Sequence, residues 1–180
     1  MEFPRIETAD LVISALDDDD LDAIVAVRRS NPERLARTEG TERGPGDYDR
    51  AMLERDLAVA AWDRGRAVVC VRLRGDGTLV GYADLLDAHP KDGMPWLGVV
   101  EIAASAQRRG YGSQCVGALA RRAAKHLTAS GMRAAADSDD DRAIGFLEHV
   151  GFRVIGKTER SSPRGRVGVT TFELTLPATP

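Results

Sequence analysis

The chain has few cysteines, no long apolar stretch and no surplus of basic charge. Cys70 and Cys115 are its only cysteines, too few for a disulfide framework or a cysteine-rich metal cluster. No apolar run approaches the roughly 18 residues that a membrane-spanning helix needs. The first residues include Glu2, Pro4 and Arg5 instead of the apolar core of a signal peptide. We therefore expect a cytoplasmic protein with reduced thiols and no bound metal.

The charge balance is slightly acidic, and the composition is that of a globular protein. The 28 Asp and Glu outnumber the 25 Lys and Arg, which gives a net charge of -3, whereas a dedicated nucleic-acid binder is usually basic. Hydrophobic residues make up 43% of the chain and charged residues 29%, which is typical of a protein with a proper core. Because the length is 180 residues, we expect one domain over 1–180 that binds neither nucleic acid nor membrane.

Hydrophobic periodicity and turn residues predict an α+β chain with a mixed sheet. Gly75-Asp76-Gly77 lies between two β-like runs and indicates an antiparallel hairpin, while Pro32 limits the first helix. Gly131 suits the C-terminal cap of the longest helix. The expected elements are a strand at 11–16, helices at 17–28 and 48–60, strands at 66–74, 78–86 and 96–103, a long helix after 112, a strand at 132–136, a helix at 139–150, and strands at 153–157 and 167–176.

Four consecutive acids, Asp17 to Asp20, follow the first strand. Carboxylates in the first turn of a helix interact favourably with the positive end of its dipole. A metal site is the alternative, but no histidine or cysteine joins these acids. We interpret them as helix-terminal acids.

The turn from Gln107 to Ser113 joins an apolar strand to the longest helix. Glycines at Gly110 and Gly112 let the backbone approach a ligand without interference from a Cβ atom. The unpaired N–H groups of a helix start favour an anion, and Arg108 and Arg109 add donors that match phosphate oxygens. The pattern predicts a diphosphate site, and a purely structural tight turn is the alternative.

Two segments carry a family resemblance. Gln107-x-x-Gly110-x-Gly112 resembles the motif Q/R-x-x-G-x-G/A of the GNAT superfamily of acetyltransferases, and Ala143 to Phe152 resembles its second segment, A-x-x-F-Y-e-k-x-G-F. The resemblance implies a GNAT-like α+β fold, with a mixed, mostly antiparallel sheet of six to seven strands that splays at its central strands and about four flanking helices. Its acetyl-CoA-binding core corresponds to about 78–157.

The resemblance implies an N-acetyltransferase that moves an acetyl group from acetyl-CoA directly to an amine of a small molecule or peptide. The pantetheine arm is expected to pair with the opened strand as an added strand would. The pyrophosphate is expected at the helix start, and homodimerisation is a habit of the family. The implied cofactor-binding residues are Ile102, Ala103, Ala104, Gln107, Arg108, Arg109, Gly110, Tyr111, Gly112, Ser113, Asp140 and Phe146.

Three positions depart from the family pattern. Leu147 stands where a tyrosine often protonates the leaving thiolate, and leucine has no proton to give. Asp140 replaces a common asparagine, and Ala104 replaces a common proline. The cofactor motif is intact, but the acid that the family uses is missing.

Glu101 is the candidate catalytic base, because it is the one charge in an otherwise apolar strand. A carboxylate desolvated in such a strand holds a proton more readily than in water, which suits a base. The alternative is an ion pair with an arginine at the strand end. Asp84 and Asp87 could bind a cationic acceptor, and Cys115 is interpreted as a core residue and not as a nucleophile.

Two other functions share some of these sequence features. Gly110-Tyr111-Gly112 also begins the dinucleotide motif G-x-G-x-x-G, but Cys115 occupies its third glycine position. A GNAT-like domain that binds acyl-CoA and catalyses little, as a sensor or interaction module, is the second alternative. Loops at 38–47, 89–95 and 161–168 are expected to rim the acceptor side, and the acceptor itself is not identified by the sequence.

Overall fold

The structure is a computed structural model that describes residues 3–39, 44–61, 65–127, 129–162 and 165–176. These residues form eight strands and five α-helices. In chain order they are β1 (Ile6–Glu7), β2 (Leu11–Ala15), α1 (Leu21–Arg29), α2 (Pro32–Glu39), α3 (Arg50–Ala61), β3 (Arg66–Leu73), β4 (Leu79–Leu86), β5 (Trp96–Ile102), α4 (Tyr111–Leu127), β6 (Gly131–Asp137), α5 (Asp141–His149), β7 (Arg153–Ser162) and β8 (Gly165–Thr175).

All eight strands belong to one sheet with the order β1-β2-β3-β4-β5-β6-β8-β7. Every neighbouring pair is antiparallel except β5 and β6, which are parallel. The expected α+β fold with a mixed, mostly antiparallel sheet is confirmed. The strand count is slightly higher than the expected six to seven, since the two-residue β1 pairs with β2 at Ile6↔Ile13.

Helix α2 is the element that the sequence pattern missed. Pro32 does follow the end of α1, but it also begins α2, a position where the missing N–H of proline costs no hydrogen bond. Leu35 is the one buried residue of α2, so the segment has no apolar periodicity to reveal it. The expected loop at 38–47 therefore begins inside α2, and its residues 40–43 lie outside the described chain.

Two further boundaries differ from the expectation. Asp18–Asp20 form a short 3₁₀ turn before α1, and Asp20 is buried in an ion pair with Arg72. Gly131 is the first residue of β6 and not a helix cap; a Cβ atom there would lie 3.0 Å from the end of Met94.

The sheet separates two apolar clusters, because successive side chains of a strand point to opposite faces. In β3, Val69 and Val71 pack into the cluster that contains the buried face of α4. Cys70 packs on the other face with residues of α1 and α3. Helices thus cover both faces of the central strands. No helix of the described ranges is long and apolar enough to cross a membrane.

Gly81 of β4 marks a close approach between β4 and β5. It pairs with Ile102, and a Cβ atom on it would lie 2.4 Å from the backbone oxygen of Glu101. Because that neighbour is backbone, it cannot move aside without shifting the strand that carries Glu101.

We predict that Gly81→Ala lowers the free energy of unfolding by about 1–3 kcal/mol, the usual cost of overpacking. Urea denaturation measures this change. Gly98→Ala is the matched control in β5, since its Cβ atom would meet Asp84 only at 3.5 Å. Equal stability of the two variants would contradict the close approach.

Candidate active site

The parallel pair β5–β6 separates after two residue pairs. In the described chain, β5 pairs with β6 only at Trp96↔Arg133 and Leu97↔Ala134. On its other edge β5 continues along β4, but with a bulge, since Leu97 pairs with Leu85 and Val99 with Asp84, which leaves Gly98 unpaired. A bulge bends its strand, and this one lies where β5 leaves β6. The expected splay of the central strands is confirmed.

The turn that leads into α4 presents unpaired backbone N–H groups. Arg108 and Gly110 have φ angles of 63° and 81°, in the left-handed region. The first backbone bond of the helix runs from the N–H of Gln114 to the oxygen of Gly110 at 3.0 Å. In the described residues no acceptor is found for the N–H groups of 108–113. These groups and the helix dipole form a site suited to an anion.

The side chain of Gln107 holds this turn in place. Its Nε2 donates to the backbone oxygen of Ile102 at 2.8 Å and to Oδ1 of Asn31 at 2.7 Å. Its Oε1 accepts a hydrogen bond from Nη2 of Arg142 at 2.8 Å. Gln107 thus connects the turn to β5, to the end of α1 and to α5.

Gly112 and Phe146 bring the two motif segments into contact. A Cβ atom on Gly112 would lie 3.1 Å from the ring of Phe146, so the ring of α5 packs directly on the first turn of α4. A larger residue at position 112 would have to displace this ring by a few tenths of an ångström, so the packing favours glycine in addition to any ligand.

A cleft of about 1170 Å³ opens between the separated strands, with α2, α5 and the turn as its other walls. Of the residues that the sequence predicted for the cofactor, ten line this cleft: Ile102, Ala104, Gln107, Arg108, Gly110, Tyr111, Gly112, Ser113, Asp140 and Phe146. Ala103 and Arg109 do not line it. The N–H of Ala103 donates instead to the oxygen of Val80 at 2.8 Å.

Glu101 lies in the same cleft, with its side chain 5% exposed. Its Oε2 accepts hydrogen bonds from Oη of Tyr82 at 2.9 Å and from Nε of Arg34 at 3.2 Å, and its Oε1 accepts one from Nδ2 of Asn31 at 3.1 Å. Burial and the charge of Glu101 raise the pKa of Tyr82 well above its usual range, so the phenol stays a donor. The carboxylate is both ion-paired and turned to the cleft.

Sequence reasoning missed the wall that α1 and α2 supply. Ser30, Asn31, Arg34 and Arg37 all line the cleft, but they come from a polar stretch without apolar periodicity. The spacing of Arg34 and Arg37 places them on one face of α2, which is the one local signal that pointed to a shared surface.

Other candidate groups are engaged elsewhere. Asp84 is paired with Arg66, and Asp87 accepts from Arg122 at 2.7 Å. Cys115 is fully buried, and burial raises its pKa to about 12. Its thiol is therefore neutral, which disfavours a covalent acyl-cysteine route.

Two further features bear on the chemistry. Leu147 of α5 is 7% exposed and packs in the hydrophobic core. It is apolar and has no acidic proton to give. No group of three or more histidine, cysteine or acidic side chains that could hold a metal ion occurs in the described residues.

The loops expected at the acceptor rim do not line the cleft within the described chain. The 89–95 loop leads into Trp96, at the opposite end of β5 from Glu101. Residues 163–164 of the 161–168 turn lie outside the described chain. Within the described chain, α2 lines the cleft where these loops were expected.

The split parallel pair, with a helix start at its open end, is the arrangement that the motif resemblance implied. The sequence family described as "Acetyltransferase (GNAT) domain" matches residues 10–153. The chain therefore belongs to the GNAT acetyltransferase family. No curated protein sequence matches it.

Solved structures with the same fold are distant in sequence. A GCN5-related N-acetyltransferase from Brucella melitensis has a TM-score of 0.79 at 16% identity, with 97% of this chain and 80% of that chain covered. A GNAT acetyltransferase from Bacillus anthracis has a TM-score of 0.74 at 15% identity, with coverages of 96% and 98%. Spermidine N-acetyltransferase from Vibrio cholerae, solved with CoA and spermine, has a TM-score of 0.72 at 17% identity, with coverages of 94% and 97%.

Asp140 provides a test of what the start of α5 does. Its Oδ1 accepts a hydrogen bond from the N–H of Ala143 at 3.0 Å, which makes it the N-cap of the helix. We predict that Asp140→Ala lowers the unfolding free energy by about 1 kcal/mol, whereas Asp140→Asn, which keeps a capping oxygen, changes it little. Thermal unfolding of both variants measures this. An equal loss in the two would show that the carboxylate charge matters more than the cap.

Proposed function

We propose that the protein is an N-acetyltransferase that moves the acetyl group of acetyl-CoA directly to an amine. The observation that carries the proposal is the separation of β5 from β6 beside a helix start whose N–H groups have no acceptor in the described chain. Family membership supports the acetyl donor, and the spermidine N-acetyltransferase from Vibrio cholerae supports an amine acceptor.

The residues present fit acetyl-CoA. The edge of β5 from Gly98 to Glu101, which is not paired with β6 in the described residues, has the backbone groups to pair with a pantetheine arm, as an added strand would. The N–H groups of 108–113 would hold the pyrophosphate. There is open space beside them at Gly110, which has a positive φ, since nothing lies within 4 Å of a Cβ atom placed there. When bound, acetyl-CoA supplies an acyl group activated as a thioester.

Glu101 is proposed as the base. An amine acceptor arrives largely as an ammonium ion, and its nitrogen must lose a proton before it can attack a carbonyl carbon. A carboxylate has about four lone-pair sites, and the three donors on Glu101 leave one for this proton. Leu147 is apolar, so α5 supplies no acid at the position where the family often has one.

The proposal also includes one N-acetyltransferase domain over residues 1–180, a cytoplasmic location and a homodimer. The dimer is supported by β7, an edge strand of ten residues on which Val154 and Ile155 are about half exposed. Long exposed edge strands with apolar side chains favour pairing with another chain.

A sensor that binds acyl-CoA without turnover is the second candidate. The absent tyrosine at Leu147 and the ion pair of Glu101 with Arg34 favour it. Thiol release from acetyl-CoA across a panel of amines separates the two functions, with mass spectrometry of the acetylated product. Release that depends on an amine supports the transferase, and acetyl-CoA binding without release from any amine supports the sensor.

The anion site predicts a selective loss of cofactor affinity in Gly110→Val. A β-branched residue does not adopt a φ of 81° without strain, so the turn must rearrange. We expect acetyl-CoA affinity to fall by roughly tenfold or more, as when one to two hydrogen bonds to a charged group are lost. Isothermal titration calorimetry measures it. Gly117→Ala, in the middle of α4, is the control and should bind as the native protein does; an unchanged affinity in Gly110→Val would place the pyrophosphate elsewhere.

The role of Glu101 predicts a loss of turnover without a loss of cofactor binding. Glu101→Gln keeps the size and the hydrogen-bonding oxygen but removes the base, so kcat should fall by about 10²–10⁴-fold. Steady-state thiol release and calorimetry with acetyl-CoA measure the two effects. The exposed Glu148→Gln is the matched control, and native turnover in Glu101→Gln would remove Glu101 from the mechanism.

A further inference from the structure

Arg34 presents unused hydrogen-bond donors to the cleft. Its side chain is 34% exposed, and its Nε donates to Glu101. No acceptor in the described chain contacts its Nη1 or Nη2. In the described residues, Nε of Arg122 is the one side-chain polar atom that is buried without a hydrogen-bond partner. Because Nη1 and Nη2 of Arg34 have no partner either, they are not buried. The fork of the guanidinium is thus open to a ligand.

Glu101 and Arg34 offer complementary groups side by side. The carboxylate of Glu101 retains one lone-pair site, on Oε1, and the Arg34 guanidinium contacts the other oxygen, Oε2, at 3.2 Å through its Nε. Both side chains line the cleft. A ligand that satisfies both must carry a cationic nitrogen close to an anionic, forked acceptor, and arginine recognises planar carboxylates in this way.

We propose that the acetyl acceptor is an α-amino acid or a closely similar amine with an adjacent carboxylate, whose carboxylate binds Arg34 and whose amine binds Glu101. This inference rests on the proposed function and names its substrate class. One carbon separates the two groups of an α-amino acid, which matches the direct contact between Arg34 and Glu101.

The charges of the cleft disfavour a polyamine. Of the five acids that line the cleft, four are paired: Glu101 with Arg34, Asp139 and Asp140 with Arg37, and Glu33 with Arg142. The fifth, Asp141, is exposed at the start of α5. An aliphatic polyamine needs unpaired acids along its length, and here it would meet two arginines of α2. A zwitterion matches the open donors and the open acceptor together.

The reaction balances with this acceptor. One ammonium proton passes to Glu101, and the amine nitrogen forms a bond with the acetyl carbonyl carbon. The carbon–sulfur bond of the thioester then breaks as the sulfur takes the bonding electrons, and the CoA thiolate takes up the second proton that the nitrogen loses. The carboxylate of the acceptor is unchanged and stays on Arg34. The products are an N-acetylamino acid and CoA.

The test compares each amino acid with the amine that lacks its carboxylate, such as alanine with ethylamine and lysine with cadaverine, and includes spermidine. We expect kcat/KM to favour the amino acid of the preferred pair by roughly 10- to 100-fold, the range of a charge-assisted contact. In Arg34→Gln this ratio should fall towards one, mainly through KM. Arg34→Lys keeps the charge without the fork and should retain part of the preference.

Arg121→Gln is the matched control, an exposed arginine on α4 outside the cleft, and its ratio should equal that of the native protein. If folded Arg34→Gln keeps the native protein's preference for the amino acid over its decarboxylated amine, the inference is overturned. It is also overturned if the native protein acetylates spermidine and the decarboxylated amines as well as or better than the amino acids. In the latter case the proposed acetyl transfer would still stand.

Binding separates failure of the inference from failure of the proposed function. With CoA bound, the preferred amino acid should raise the unfolding temperature of the native protein but not that of Arg34→Gln. The decarboxylated amine should leave the unfolding temperature of both proteins unchanged. If no amine is acetylated but this pattern holds, acetyl transfer is wrong and the amino-acid site stands. If no amino acid raises the unfolding temperature, the inference is overturned.

Discussion

The site depends on one constraint, the loss of pairing between two parallel strands at the centre of the sheet. Because Gly98 forms a bulge against β4, β5 turns away from β6 after Leu97, and its backbone edge from Gly98 to Glu101 has no strand partner on that side in the described residues. The chain at the end of this edge turns directly into α4, whose first N–H groups lack acceptors in the described residues. A continuous β5–β6 pair would close the cleft, and the helix start would face no cavity.

A buried arginine on the face of the sheet that α1 and α3 cover holds α2 in place. Arg28 of α1 donates to Glu39 of α2 at 3.0 Å and to Asp56 of α3 at 2.9 Å, and its guanidinium stacks 4.1 Å from the ring centre of Tyr48. Burial alone would lower the pKa of Arg28, but the surrounding Tyr and Glu side chains raise it by more than that. The pKa is therefore above its ordinary value, and the guanidinium stays charged. Since α2 is joined to α1 and α3 in this way, Arg34 reaches Glu101 in a fixed orientation.

The parts of the site that are local in the chain could be predicted from the sequence, and the parts that join distant segments could not. The glycines at 110 and 112 and the start of α4 lie within a few residues of one another, so their spacing, together with the motif resemblance, predicts an anion site. The contact of Arg34 with Glu101 joins residues 67 positions apart, and that of Asn31 with Gln107 joins residues 76 apart. No repeat of apolar residues marks α2 in the sequence, because Leu35 is its one buried residue and its other contacts are made by charged side chains. The motif resemblance implied that Phe146 binds the cofactor, but only the packing shows that its ring lies against the first turn of α4 at Gly112.

The central claim is that the separated edge of β5 and the start of α4 hold one extended ligand. Amide hydrogen exchange with and without CoA tests it most directly, because it reports backbone groups individually and does not depend on turnover. The account predicts slower exchange on CoA binding in two segments, 98–102 and 108–113, with no change in β7. Protection confined to other segments while CoA is bound would contradict it.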